Sequence, residues 1–158
     1  MRIISGSAKG RKLFSPISGS NAIRPTSDRA REALFNIIGN RVKECSVLDL
    51  FAGTGAFGCE ALSRGAAKAT FVDNSRVALG LVDKNIALIP GGAEKSTMIN
   101  SDLSKGISAA CLSRLGDNPF DLIFADPPYL TDLSLEILSS LDNSAVFSSD
   151  PLVIIEER

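Results

Sequence analysis

At 158 residues, 44% of them apolar and 22% charged, the chain has the make-up of one globular domain large enough to bury a core. It has no histidine, which excludes Ser-His-Asp hydrolysis, Cys-His nucleophiles and histidine metal sites. The net charge of −1 hides a division: residues 1–43 hold nine Lys or Arg against two acids (+7), and residues 44–158 hold eight against sixteen (−8). A polyanion, nucleic acid first, is therefore the expected partner of the N-terminal part.

Cys45, Cys59 and Cys111 show no C-x-x-C spacing and read as reduced thiols. No run approaches the ~18 apolar residues of a membrane helix. Ile3-Ile4 is followed at once by Ser5, Gly6 and later Lys9, unlike a signal peptide. A cytoplasmic protein without membrane or metal partners, and monomeric, is expected.

The chain opens with two apolar pairs, Ile3-Ile4 and Leu13-Phe14, around a glycine- and serine-bearing turn with Lys9, Arg11 and Lys12, which reads as a basic β-hairpin. Residues 15–21 are small and polar and read as a loop. Pro25, Thr26, Ser27 and Asp28 are helix-start signals. Ala30, Ala33, Leu34, Ile37 and Ile38 then follow i, i+3, i+4, i+7, i+8 and predict one buried stripe, with Gly39 as the stop. Arg24, Arg29 and Arg31 crowd the helix start, the wrong end for cations, so an anionic ligand is expected there.

Residues 47–51 form a short apolar run with one acid, right for a buried parallel strand. Gly53, Gly55 and Gly58 follow in G-x-G-x-x-G spacing, a cradle for a nucleotide-type cofactor, with a helix opening behind it. Further strands are expected at 69–73, 97–101, 120–125 and 152–156. Helices are expected from Asn74 or Ser75 through Leu88, over 103–115 and over 133–141, with turns at Pro90-Gly91-Gly92 and at residues 116–119. Strands alternating with helices imply βαβ units, a parallel sheet and ligands at the carboxyl ends of its strands.

Asp49, Asp73, Asp102 and Asp126 end or punctuate four of those strands. Asp73 lies 18 residues after Gly55, about where an acid takes two ribose hydroxyls. Asp126-Pro127-Pro128-Tyr129 is the sharpest feature. Two prolines fix φ and remove donors, so the segment offers only acceptors, matching an exocyclic amino group, and Tyr129 offers a ring for a planar base.

These residues carry a resemblance. Asp-Pro-Pro-Tyr after a strand, downstream of Asp49-Leu50-Phe51-Ala52-Gly53-Thr54-Gly55, resembles the S-adenosylmethionine-dependent amino-group methyltransferases. Two further stretches narrow the resemblance to the bacterial 16S ribosomal RNA guanine-N2 methyltransferases: Arg24-Pro25-Thr26 with Asp28-Arg29-Ala30-Arg31-Glu32-Ala33-Leu34-Phe35-Asn36-Ile37, and the opening Arg2-Ile3-Ile4-Ser5-Gly6 with Lys9-Gly10-Arg11-Lys12-Leu13. The likeness covers nearly the whole chain. It implies an α/β fold, the Rossmann-like class I methyltransferase sheet with helices on both faces and a basic N-terminal β-hairpin. The family's sheet continues past residue 156 into a β-hairpin that completes seven strands. The sequence stops at Arg158, so the C-terminal strands are expected to be missing.

The resemblance also implies roles. Phe51, Ala52, Gly53, Thr54 and Gly55 would hold the cofactor's methionine portion, with Asp49 beneath. Asp73 and Asn74 would take the ribose, and Asp102 with Leu103 the adenine. Asp126, Pro127, Pro128 and Tyr129 would be catalytic, holding the target guanine. Arg24 and Thr26 would border the cofactor, and Lys9, Arg11, Lys12, Arg24, Arg29 and Arg31 the RNA. Residues 1–43 are thus expected to be an RNA-binding extension of the same domain and 44–158 the cofactor-binding catalytic domain. Three other readings remain open: methylation of adenine N6 or a protein amide, a nicotinamide oxidoreductase built on the same glycines, and an inactive RNA-binding scaffold.

Overall fold

The computed structural model describes residues 1–16, 27–128 and 133–156. The expected loop at 15–21 (from residue 17 on), the cluster at Arg24, Pro25 and Thr26, and Tyr129 lie outside those residues.

Among the described residues five strands form one parallel sheet. They are β1 (Ser46–Leu50), β2 (Lys68–Asp73), β3 (Ser96–Asn100), β4 (Phe120–Ala125) and β5 (Phe147–Ile155), in the spatial order β3-β2-β1-β4-β5. The helices are α1 (Asp28–Ile38), α2 (Ala56–Ser63), α3 (Arg76–Ile86), α4 (Ala109–Leu115) and α5 (Leu133–Asp142). β1 is central. The chain winds from it through β2 to β3, then returns to place β4 on β1's other side. The gap between the ends of β1 and β4 is thus a topological switch point, where open α/β sheets take their ligands.

Alternation along the strands divides the core in two. Val47, Phe71, Leu122 and Phe124 face the layer of α1, α2 and α3, while Leu48, Leu50, Val72 and Ile123 face α4 and α5. Phe57 of α2 stacks between Phe35 and Phe124, with centroids 5.0 and 4.1 Å away. Serine hydroxyls cap three helices: Ser27 accepts from the Ala30 N–H, Ser75 from Ala78 and Ser108 from Cys111. All three cysteines are buried free thiols. Among the described residues no helix is long and apolar enough to cross a membrane.

The N-terminal hairpin forms, as an antiparallel bridge between Arg2 and Lys12 flanked by bonds joining Ile3 to Arg11 and Leu13 to Met1. It is docked rather than projecting. Ile3, Ala8 and Leu13 are buried in the same core as α1 and α2. The Glu60 carboxylate accepts the N–H groups of Ile4 and Ser5 at 2.8 and 3.0 Å. Ser63 donates to the Ser5 carbonyl and accepts from the Ala8 N–H.

Three expectations need correction. The buried face of α1 is Arg31, Phe35 and Ile38, not the stripe through Ala30 and Ile37; Ile37 is 82% exposed. Arg31 turns inward because Glu60, fully buried on α2, supplies its countercharge, with Asp28 one turn back at 3.0 Å. The helix expected over 103–115 begins only at Ala109, because Asp102 accepts the Ser104 N–H, Gly106 takes φ 82 and Ser108 is the cap. β5 starts at Phe147, five residues before the expected strand, with an irregularity in its pairing to β4.

Candidate active site

The site is built where β1, β2 and β4 end. β1 runs into a turn that Phe51 enters with φ 56, a left-handed backbone that a bulky side chain rarely adopts. Gly53 and Gly55 follow with φ 56 and 71, and the Gly55 N–H closes the turn on the Ala52 carbonyl at 2.7 Å. Gly58 has a different reason: a Cβ there would stand 2.3 Å from the Phe71 ring, so only glycine lets α2 lie this close to β2.

Asp73, the last residue of β2, organises the turn. One carboxylate oxygen accepts the Gly53 N–H at 2.9 Å and the other the Ser75 N–H at 2.8 Å. Each oxygen keeps a lone pair for a further donor, and the residue is only half-buried. Asn74 is exposed, and its carbonyl accepts from the Asn100 side chain, which also bonds the Asp73 carbonyl. Asp102 lies exposed two residues past β3, on the same edge of the sheet. The Ser104 backbone N–H holds its carboxyl below the ordinary value. Leu103 reaches inward instead: its side chain is part of the core against α4 and α5.

Asp49 lies under the turn, 1% exposed, with Phe71 and Phe124 as its neighbours across the sheet. It accepts the Gly58 N–H at 3.0 Å. Burial raises its pKa to about 8; the Gly58 bond opposes the rise, and Asp73 and Asp126 add to it. The pairing of Leu50 with Ala125 sets Asp126-Pro127-Pro128 beside Phe51 and the glycine turn. Asp126 and Pro127 are half-buried and Pro128 is exposed. The structure therefore brings together the glycine turn, Asp49, Asp73 and Asp126.

It treats the residues expected to face RNA differently. Lys9, Arg11, Lys12 and Arg29 are exposed, and Arg11 donates to the Leu88 carbonyl. Arg31 is 1% exposed and held by Asp28, Glu60 and the Arg2 carbonyl, so it is not open to a phosphate. Sequence reasoning missed Glu60, Ser63, Asn85 and the strain at Phe51. Asn85 had left a signal, a lone amide among Val82 and Ile86 on an apolar helix face.

The residues present suit S-adenosylmethionine. Carboxylates with spare lone pairs are the right partners for ribose hydroxyls. With the Asp73 and Asp126 carboxylates at its rim, the turn suits a cofactor without phosphates better than the pyrophosphate of a nicotinamide dinucleotide. Among the described residues no group of three or more His, Cys, Asp or Glu is placed to hold a metal.

Comparison with known proteins agrees. The family described as Conserved hypothetical protein 95 matches residues 1–158. The chain is 36% identical to Ribosomal RNA small subunit methyltransferase D of Escherichia coli K12, over all of this chain and 75% of that protein. It is 34% identical to the protein of the same name from Haemophilus influenzae, over 99% and 78%. The solved structure of Escherichia coli yhhF superposes with a TM-score of 0.78 at 34% identity, covering 97% of this chain and 78% of that one. That of the Thermus thermophilus hypothetical protein TTHA0928 gives 0.77 at 27% identity, covering 98% and 84%. The chain belongs to the Conserved hypothetical protein 95 family, a family of S-adenosylmethionine-dependent methyltransferases.

Proposed function

We propose that the protein transfers a methyl group to the exocyclic N2 of a guanine in small-subunit (16S) ribosomal RNA. The observation that carries this reading is the acceptor-only segment Asp126-Pro127-Pro128 at the end of β4, set beside the glycine turn. The named relatives in Escherichia coli and Haemophilus influenzae, methyltransferases of small-subunit ribosomal RNA, support the choice of RNA. The cofactor, when bound, supplies an electrophilic methyl group on sulfur.

The chain's task is to present the amino nitrogen. That lone pair is delocalised into the base and is a poor nucleophile. The Asp126 carboxylate and the Pro127 carbonyl accept its two N–H bonds, which favours a pyramidal nitrogen with its lone pair turned out. Tyr129 stacks on the base, which has left its helix to reach the pocket. Positioning and fixed dipoles do the rest; Asp126 need not be a strong base, because the nitrogen becomes acidic only as it is methylated, and its proton then passes through the Asp126 carboxylate to water. Asp73 holds the ribose hydroxyls, with Asp102 beside the adenine. Lys9, Arg11, Lys12 and Arg29 bind RNA phosphates, making residues 1–43 the RNA-facing part of the domain.

The test is to incubate the protein with isotope-labelled S-adenosylmethionine and small subunits from cells lacking the gene, then identify the labelled nucleoside by mass spectrometry. N2-methylguanosine is expected. N6-methyladenosine would move the clamp to adenine, and cofactor binding without transfer would favour an RNA-binding scaffold. Asp126→Ala should lower single-turnover methylation about 10²–10³-fold, the usual loss for one preorganised polar group, with cofactor affinity nearly unchanged by calorimetry.

A further inference from the structure

Asn85 sits in the last turn of α3, 0% exposed, on the face that carries Val82 and Ile86 into the core. A polar side chain there costs stability unless fully bonded, and this one is. Its Oδ1 accepts the Phe14 N–H at 2.7 Å. Its Nδ2 donates to the Phe14 carbonyl at 3.0 Å and to the Thr54 carbonyl at 2.8 Å. Leucine would fill the same space without polar atoms to satisfy. What the amide adds is a junction between two backbone segments far apart in sequence.

One segment is the exit of the basic hairpin, whose Phe14 is gripped by both its backbone groups. The other is the middle of the glycine turn. Holding the Thr54 carbonyl fixes the peptide plane shared with Gly55, and with it the shape of the turn. The turn just past α3 touches the hairpin a second time, where the Arg11 guanidinium donates to the Leu88 carbonyl. Under the turn, Val82 lies against Gly55, where a Cβ would stand 3.0 Å from the valine methyl. A shift of residues 11–14 thus has a short, fully bonded route to residues 53–55.

We propose that Asn85 is a positioning residue that couples the two ligand sites, so that RNA on the basic hairpin and cofactor on the glycine turn tighten each other's binding. This rests on the reading of the hairpin as RNA-facing and of the turn as cofactor-binding. Coupling of this kind is reciprocal, and typical factors run from about 5 to 150.

The experiment measures the affinity of the demethylated product, S-adenosylhomocysteine, with and without small subunits from cells lacking the gene, for the wild type and Asn85→Ala. About a fivefold or greater tightening is expected in the wild type, falling to nearly one in the variant. A second measurement needs no variant: hydrogen exchange on the wild type, where the product alone should slow the Phe14 amide along with Gly53. A factor of one in the wild type, or the same factor in the variant, overturns the proposal. So does weaker binding of both ligands in the variant at an unchanged ratio, which marks a merely structural role. So does a Phe14 amide that ignores the product while Gly53 responds. If the product fails to bind the wild type at all, the functional reading falls first and the coupling with it.

Discussion

Two carboxylates on the same side of the sheet, Glu60 and Asp49, are both fully buried and yet opposite in kind. Glu60, at the junction with the N-terminal hairpin, is saturated. It accepts from Ile4, Ser5 and Arg64, and Arg31 stands 3.7 Å away. Asp49, beneath the glycine turn, has the Gly58 N–H and, among the described residues, no cation within ion-pair distance. Asp73 and Asp126, of the sign it would itself carry, add to the rise in its pKa. The junction is assembled around paired charge, with every Glu60 contact supplied from within the chain. The floor of the turn instead holds a carboxyl that burial keeps protonated up to about pH 8, with no countercharge among the described residues to ionise it. Burial alone separates structure from function poorly; what decides is whether the buried charge already has its partner.

Breaking the saturated side should have the larger effect. Glu60→Gln keeps the shape but leaves the buried Arg31 guanidinium with the partly exposed Asp28 as its only carboxylate partner. Loss of one member of a buried pair costs about 3–5 kcal/mol, to be read from urea unfolding. A loss below about 1 kcal/mol would mean that the network contributes little and the hairpin is held by its buried Ile3, Ala8 and Leu13 and its bonds to Ser63 and Asn85.

The unpaired side should respond to pH instead. Asp49 carries a folded-state pKa raised to about 8, against about 3.9 for an unfolded aspartate. Between those values the folded state binds more protons than the unfolded one, so Asp49 makes stability fall as pH rises from about 4 to about 8 and level off beyond. Asp49→Asn can still accept from Gly58 and lacks the titration. Unfolding midpoints at pH 5 and pH 8 should therefore show the variant gaining on the wild type as pH rises. A constant difference would mean that Asp49 is already ionised at pH 5, and the contrast with Glu60 would vanish.

The sheet and the turn were legible because buried parallel strands show as unbroken apolar runs, and glycines at 53, 55 and 58 have few other reasons for that spacing. Asp73 and Asp126 were found from their place at strand ends, which topology alone brings to one crevice. The face of α1 was not legible. Its inward residue is an arginine whose partner lies 29 positions on, and periodicity has no means of recognising an ion pair. The late start of α4 could have been read from Gly106 and the cap at Ser108. Apolar residues in 103–115 obscured it. β5 carries Pro151, which argues against a strand interior, yet it falls in the irregular stretch between the Phe147 and Leu152 pairings with β4, where a missing donor is tolerated.

The smallest effect on the fold, and the cleanest separation of the hairpin's inner and outer faces, should come from changing Lys9, Arg11 and Lys12 together to Ala. Their inner neighbours Ile3, Ala8 and Leu13 stay buried, and Glu60 still binds the Ile4 and Ser5 amides. Among the described residues the side-chain bond lost is that of Arg11 to Leu88, and exposed charges contribute at most about 1 kcal/mol. Cofactor affinity without RNA should hold, because none of the three touches the glycine turn. RNA affinity should not hold. Residues 44–158 carry −8 and repel a polyanion, so attraction rests on the N-terminal cations. Each phosphate contact contributes roughly 0.7–0.9 to the slope of log affinity against log salt. The triple variant should flatten that slope by up to about 2.7 units and raise the RNA KM while Tm barely moves. A variant with a wild-type salt slope would show that RNA is held elsewhere, and the hairpin would then be only the structural element that Glu60 makes it.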